Sequence, residues 1–170
     1  MKPSATLLLS MLLSVSVPAA ATADVRLLDA VRNGDLNAVR ALLQRRVDVD
    51  AAGPDGSTAL ILAADRGDLG VAELLIRAKA RVNAANDYGA TALSAACASG
   101  NIALLTLLLE ANANPNAPLL SGETPLMTVV DNGHVEAARA LLEHGADANL
   151  KESKGGQDRK STRLNSSHRL

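Results

Sequence analysis

The sequence predicts an all-α fold: a solenoid of stacked helix–turn–helix units joined by projecting loops. Two observations carry that expectation. The first is a period. Thr58, Thr91 and Thr124 stand 33 residues apart, and so do Gly34, Gly67, Gly100 and Gly133. Leu42, Leu75, Leu108 and Leu141 fall on the same step, as do Asp50, Asn83, Asn116 and Asn149, and Leu60, Leu93 and Leu126. A fixed period of this length marks a chain built from one supersecondary unit repeated. The second is composition. Apolar residues make up 48% of the chain but aromatics only 1%, with Tyr88 alone and no Phe or Trp. A conventional core leans on aromatics for buried area, whereas Leu, Val, Ile and Ala suffice to fill many thin, similar layers.

In chain order, residues 1–23 read as a secretory signal. Lys2 supplies the positive start, Ala5 to Val17 is an apolar run of signal length, and Pro18 breaks it. Small residues before Asp24 predict cleavage after Ala23, with Ala21 the alternative, and the competing reading is a buried first helix. The implied destination is a bacterial periplasm or the outside of the cell, and no later segment is long and apolar enough to anchor the chain. Residues 24–54 form a degenerate first unit: it lacks the Thr of the series and carries Arg26, Asp29 and Arg32, as a polar cap on a solenoid would.

The unit at 55–87 shows the pattern in full. Thr58 can cap a helix start, Leu60, Ala63 and Ala64 share one face, and Gly67 ends the helix in a conformation that wants positive φ. Asp68 caps the next helix, whose stripe is Val71, Leu74 and Leu75. Residues 88–120 and 121–154 repeat the scheme, with Asn101 and His134 at the second cap. Helices of about 8 to 10 residues are unstable alone, so each unit needs its neighbour.

These motifs resemble ankyrin repeats. The family's TPLHxAA signature is matched by TALILAA (Thr58 to Ala64), TALSAAC (Thr91 to Cys97) and TPLMTVV (Thr124 to Val130), and its GADxN segment by Gly145 to Asn149. The resemblance covers about Asp24 to Gly156 and implies paired antiparallel helices with a projecting loop, stacked into a curved array. The departures carry expectations of their own. The family's His, which joins neighbouring loops, is replaced by Ile61, Ser94 and Met127, so the loops should be held less firmly. Gly145 keeps the left-handed helix end, where Arg46, Lys79 and Asn112 stand in the other units; Arg46 and Lys79 should be strained there. Val129 and Val130 replace two small alanines and should push or twist the fourth unit's first helix.

Little in the chain suggests chemistry. Cys97, the only cysteine, occupies the place of Ala64 one unit earlier, a small buried site; the competing reading is a reactive thiol in an enzyme. His134 and His144 sit ten apart at helix ends, without ligands at metal spacing, and are read as structural. Asp48, Asp50 and Asp147 are loop positions that brace turns. No catalytic constellation, metal site or cofactor is predicted.

What remains is surface. The resemblance implies that partners are gripped by loop tips and by the concave face of the first helices. The candidates at the tips are Asp55, Ser57, Asp87, Tyr88, Ala90, Leu120, Ser121 and Glu123. Those on the concave face are Asp65, Arg66, Ser99, Asp131 and Asn132, with Ala98 among them. Tyr88 either meets a partner, as interface tyrosines do, or lies on a neighbouring loop. Leu119 and Leu120 are unusually apolar for a loop.

Gly155 continues the series Gly56, Gly89 and Gly122, but Gln157 stands where Thr is due, so residues 155–157 begin a further unit that is cut short. From Asp158 the segment DRKSTRLNSSH matches a sequencing-library adapter read in frame, and residues 158–170 are expected to be a non-native tail. The whole chain has 17 Lys and Arg against 18 Asp and Glu, net −1. Setting aside Lys2 and the tail, with its four cations and one anion, leaves −5 for residues 24–157. An acidic body argues against nucleic acid or an anionic membrane as partner. The expected function is non-catalytic: an exported monomer that binds a protein partner, the alternative being an exported effector acting in a host cell.

Overall fold

The computed structural model describes residues 19–150, and from Val25 onward their side chains. They form eight helices in four pairs: α1 (Ala19–Arg32) with α2 (Leu36–Gln44), α3 (Ala59–Asp65) with α4 (Leu69–Arg77), α5 (Ala92–Ser99) with α6 (Ile102–Glu110), and α7 (Pro125–Asp131) with α8 (Val135–Glu143). The first helices α1, α3, α5 and α7 pack side by side in one layer, and α2, α4, α6 and α8 in a second. This is the all-α solenoid that the period predicts. Helix α1 begins at Ala19, inside the expected signal; the rest of that segment, the short start at 155–157 and the tail at 158–170 lie outside the described residues.

The first helices of the last three units, α3, α5 and α7, each start where a threonine hydroxyl can accept from the backbone three residues on. Thr58 Oγ1 accepts from Ile61 N at 3.4 Å, Thr91 from Ser94 N at 3.2 Å and Thr124 from Met127 N at 3.4 Å. Asp35, Asp68 and Asn101 cap α2, α4 and α6 in the same manner. His134 holds that place before α8 but makes no capping bond. Its imidazole instead lies over Gly100, so close that a Cβ there would meet its Nε2 at 2.6 Å. The helices are shorter than expected, 7 to 9 residues apart from α1.

The core is built of rows one period apart. Leu27, Leu60 and Leu93 are buried in one row, Ala30, Ala63, Ala96 and Val129 in another, and Leu75, Leu108 and Leu141 in a third. Within α4 the expected stripe shifts slightly: Val71 and Leu75 are fully buried, but Ala72 joins them where Leu74 is only half-buried. In the first unit Leu27, Leu28, Ala30 and Val31 turn inward while Arg26, Asp29 and Arg32 stay in solvent.

The fourth unit resolves its two valines by dividing them. Val129 is fully buried in its row, whereas Val130 is 61% exposed, although Ala64 and Cys97 at the same register are covered by the following unit. Leu142 is likewise 49% exposed where Leu109 is 4%. This face of α7 and α8 frames a hollow of about 600 Å³ with Leu126 and Met127 in its wall.

The left-handed helix ends stand where the period puts them: φ is 55° at Arg46, 69° at Lys79, 65° at Asn112 and 89° at Gly145. Lys79 is exposed, so its side chain contributes little to offset the strain. Lys79→Gly is expected to raise stability by about 0.5–1 kcal/mol, the relief of left-handed strain outweighing glycine's larger unfolded-state entropy. A urea midpoint that falls on this substitution would show that the lysine stem is packed after all.

Candidate interaction surface: loop tips and the groove beneath them

Each loop is pinched by a backbone bond across its tip, Gly53 N to Ser57 O at 2.9 Å, Asn86 N to Ala90 O at 3.0 Å and Leu119 N to Glu123 O at 2.9 Å, with a second inside it from Gly56, Gly89 or Gly122 N back to Gly53, Asn86 or Leu119 O. Neighbouring tips are then joined directly, Asp87 N donating to Asp55 O at 3.0 Å and Leu120 N to Tyr88 O at 3.1 Å. Glycine makes this approach possible. At Gly89, with φ of 77°, a Cβ would stand 2.9 Å from Leu120 N, closer than a side chain can sit.

A second ladder runs below the tips. Asp50 Oδ1 accepts from Arg81 N at 2.7 Å, Asn83 Oδ1 from Asn114 N at 2.7 Å and Asn116 Oδ1 from Asp147 N at 2.8 Å. The amide groups of Asn83 and Asn116 donate in turn to Asn112 O and Gly145 O, the carbonyls of the left-handed helix ends. Asp50 has no such donor and takes Arg81 Nε at 3.2 Å instead. Asp48 and Asp147 brace their own turns by accepting from Asp50 N and Asn149 N. The loops are therefore tied by two ladders that do not use the family's His, and the expectation of loosely held loops gives way.

The tips present two large apolar side chains, Tyr88 at 67% and Leu120 at 76% exposed, and the Leu120–Tyr88 backbone bond sets them on adjoining loops. Tyr88 thus projects rather than folding onto its neighbour. Beneath the tips a groove of about 510 Å³ runs between the loops and the first helices of three units. Three register rows cross it: Ser57, Ala90 and Glu123; Leu62, Ala95 and Thr128; and Asp65, Ala98 and, one unit on, Asp131. Ile61 and Leu119 add to its apolar lining.

Not every sequence candidate sits where it could meet a partner. Ser57 is only 3% exposed, and it braces the loop: its Oγ donates to Asp55 Oδ2 at 2.7 Å and accepts from Asn86 Nδ2 at 3.2 Å. That hydroxyl, chiefly, and the Ser57 backbone N–H hold the Asp55 carboxyl below the usual carboxylate range. Glu123 is half-buried and accepts from Thr128 Oγ1 at 2.7 Å. Arg66 leaves the concave side, its Nη2 standing 3.0 Å from where a Cβ on Gly34 would be, over the α1–α2 turn. Ser99 and Asn132, one and two periods further, are exposed at the equivalent helix ends, outside the groove lining. Asp55, Asp65 and Ala90 line the groove, and Asp87, Tyr88, Leu120 and Ser121 are exposed on the loops above it; Asp131 is exposed but lines the hollow of the fourth unit, which meets the groove at Glu123. Leu62, Ala95, Asn86 and Thr128 also line it and were not singled out from sequence, although carrying the Asp65 and Ser57 rows through the period would have reached their neighbours.

Cys97 is fully buried between α5 and its neighbours, and burial pushes its thiol up to about 12. A protonated, inaccessible thiol is no nucleophile. Among the described residues, no group of three or more His, Cys, Asp or Glu could hold a metal ion, and no helix is long and apolar enough to cross a membrane.

Family comparison agrees with this geometry. A profile described as ankyrin repeats (3 copies) matches residues 27–118, more than half of the chain, and one described as ankyrin repeats (many copies) matches 107–157. The chain belongs to the ankyrin-repeat family. No curated protein matches it. Ankyrin repeats indicate a protein-interaction module, with a protein as the class of partner, in a family that is generally non-catalytic. The match to 107–157 continues the ankyrin register past the last described residue.

Proposed function

We propose that this ankyrin array is an exported, non-catalytic binding module that grips a protein partner through its loop tips and the groove beneath. The observation that carries the reading is the pairing of Tyr88 and Leu120. Two of the most exposed large apolar side chains among the described residues stand on adjoining loops joined by a backbone hydrogen bond. Rigid loops spend little entropy on binding, and an exposed tyrosine is the side chain most suited to an interface centre. Export rests on the sequence of residues 1–23, with its Lys2, its apolar run and its small residues before Asp24. Retention in the periplasm or release outside both follow from such a start.

One experiment addresses both parts. A photo-cross-linking residue is placed at Leu120, or at Thr106 on the second-helix face, and the cells are irradiated and fractionated. Adducts are expected from position 120 in the periplasmic or secreted fraction, and few from 106. Tyr88→Ala should weaken the purified complex tenfold or more, about 1.4 kcal/mol. Adducts equal at both positions would remove the loop-tip site, and adducts confined to the cytoplasm would remove export.

A further inference from the structure

We infer that the groove receives a basic segment of the partner, with lysine or arginine side chains laid into it. This rests on the interaction-module reading and adds the partner's chemistry. The groove lining holds three carboxylates, Asp55, Asp65 and Glu123, and no lysine, arginine or histidine. Asp131 extends the Asp65 row by two units and is exposed in the adjoining hollow of the fourth unit, which shares Glu123 with the groove. None of the four enters an ion pair among the described residues, whose pairs are Arg32–Asp29, Arg77–Glu73 and Arg81–Asp50. Neither nearby arginine forms an ion pair with the four, although Arg32 Nη2 stands at Gly53, close to Asp55. Arg66 lies over Gly34, and Arg32, which contributes in a minor way to the lowering of Asp55, places its Nη1 3.4 Å from Asp29.

Shape and charge point the same way. The middle of the groove is formed by Ala90, Ala95 and Ala98, where the flanking units carry Ser57 and Glu123, Leu62 and Thr128, and Asp65 and Asp131. Three small side chains in register leave a depression with an apolar floor, and the larger residues on either side give it an acidic rim. A lysine or arginine matches both features, since its aliphatic stem can lie on apolar surface while its head reaches a carboxylate. A neutral segment would cover the carboxylates without pairing them, at a desolvation cost. An acidic one would be repelled by the rim and by the net −5 of the body.

The test uses the full chain and a defined probe, a fluorescein-labelled peptide Ac-AKAAKAAKAAK-amide, with counterparts carrying Gln or Glu in place of Lys. Binding is read by fluorescence anisotropy at about 50 mM salt, where screening is mild. The Lys peptide is expected to bind in preference to both counterparts. Asp65→Asn with Asp131→Asn should weaken it at least tenfold. Ala98→Leu fills the floor without changing any charge, and it should weaken binding at least fivefold. Glu73→Gln with Glu110→Gln, on the second-helix face, should leave it unchanged. All these sites are exposed or half-buried, thermal melts report folding, and Asp65→Lys provides a second route to the same loss. If Ala98→Leu binds like the wild type, or the Glu73/Glu110 pair weakens binding as much as the Asp65/Asp131 pair, the attraction is only that of net charge and the groove assignment falls. Equal binding of the Gln peptide overturns the basic chemistry, while cross-linking through Leu120 would still uphold the interaction module.

Discussion

Replacing Leu108 by alanine is expected to lower the stability of the array by about 3–5 kcal/mol. Leu108 is fully buried in α6, in the row Leu75, Leu108, Leu141 that runs through the second helices. Truncation removes a buried isobutyl group and leaves a cavity walled by two neighbouring units, which cannot collapse onto it without breaking their own register. Because a repeat array is held by nearest-neighbour interfaces, the loss falls on the contacts of unit three with both units beside it. The transition should therefore broaden as well as shift, with the outer pairs melting apart. Leu142→Ala is the matched control: at 49% exposure it should cost about 1 kcal/mol or less. Urea unfolding followed by circular dichroism measures both. Equal losses from the two substitutions would show that the Leu108 row does not carry the coupling between units.

The second large effect is alkaline. The Cys97 thiol ionises near its ordinary 9 in the unfolded chain but only near 12 when folded. Below pH 9 both states keep the proton, and stability does not depend on this group. Between pH 9 and 12 the unfolded chain gives up the proton that the folded chain retains, so stability falls as pH rises. The slope is about 1.4 kcal/mol per pH unit, about 4 kcal/mol over the whole window. Cys97→Ala places at this site the residue that Ala64 already is one unit earlier, and it removes the dependence. The difference in unfolding free energy between wild type and Cys97→Ala, from urea titrations, should be small and constant up to pH 9 and then shift in favour of the variant by about 3 kcal/mol at pH 11. A constant difference across that range would mean that the thiol reaches solvent in the native state, which would reopen its reactivity.

Much of the fold can be read from the residues because the period is a direct image of stacking. The three threonine caps, the leucine rows and the left-handed positions at Arg46, Lys79 and Asn112 each recur at a step of 33. Each satisfies a local requirement: a helix start needs an acceptor, a helix end needs positive φ, and a face needs apolar side chains. The same regularity locates the loops and names most residues around the groove.

What the sequence by itself determined, then, is the unit and its repetition, together with the acidic balance of the body and the scarcity of chemistry. Tertiary structure decided where particular side chains turn, since that depends on atoms a full period away. Ser57 looks like a loop-tip contact until Asn86 of the next loop closes over it. Arg66 looks concave until the missing Cβ of Gly34 lets its guanidinium lie over the preceding turn. His134 stands at a cap but settles over Gly100 for the same reason. Val129 and Val130 are neighbours of equal size, and only a packed layer on one side, with none on the other among the described residues, separates a buried residue from one 61% exposed. A local pattern fixes backbone conformation, but burial and orientation are properties of the space between units, and that space exists only once the units are stacked.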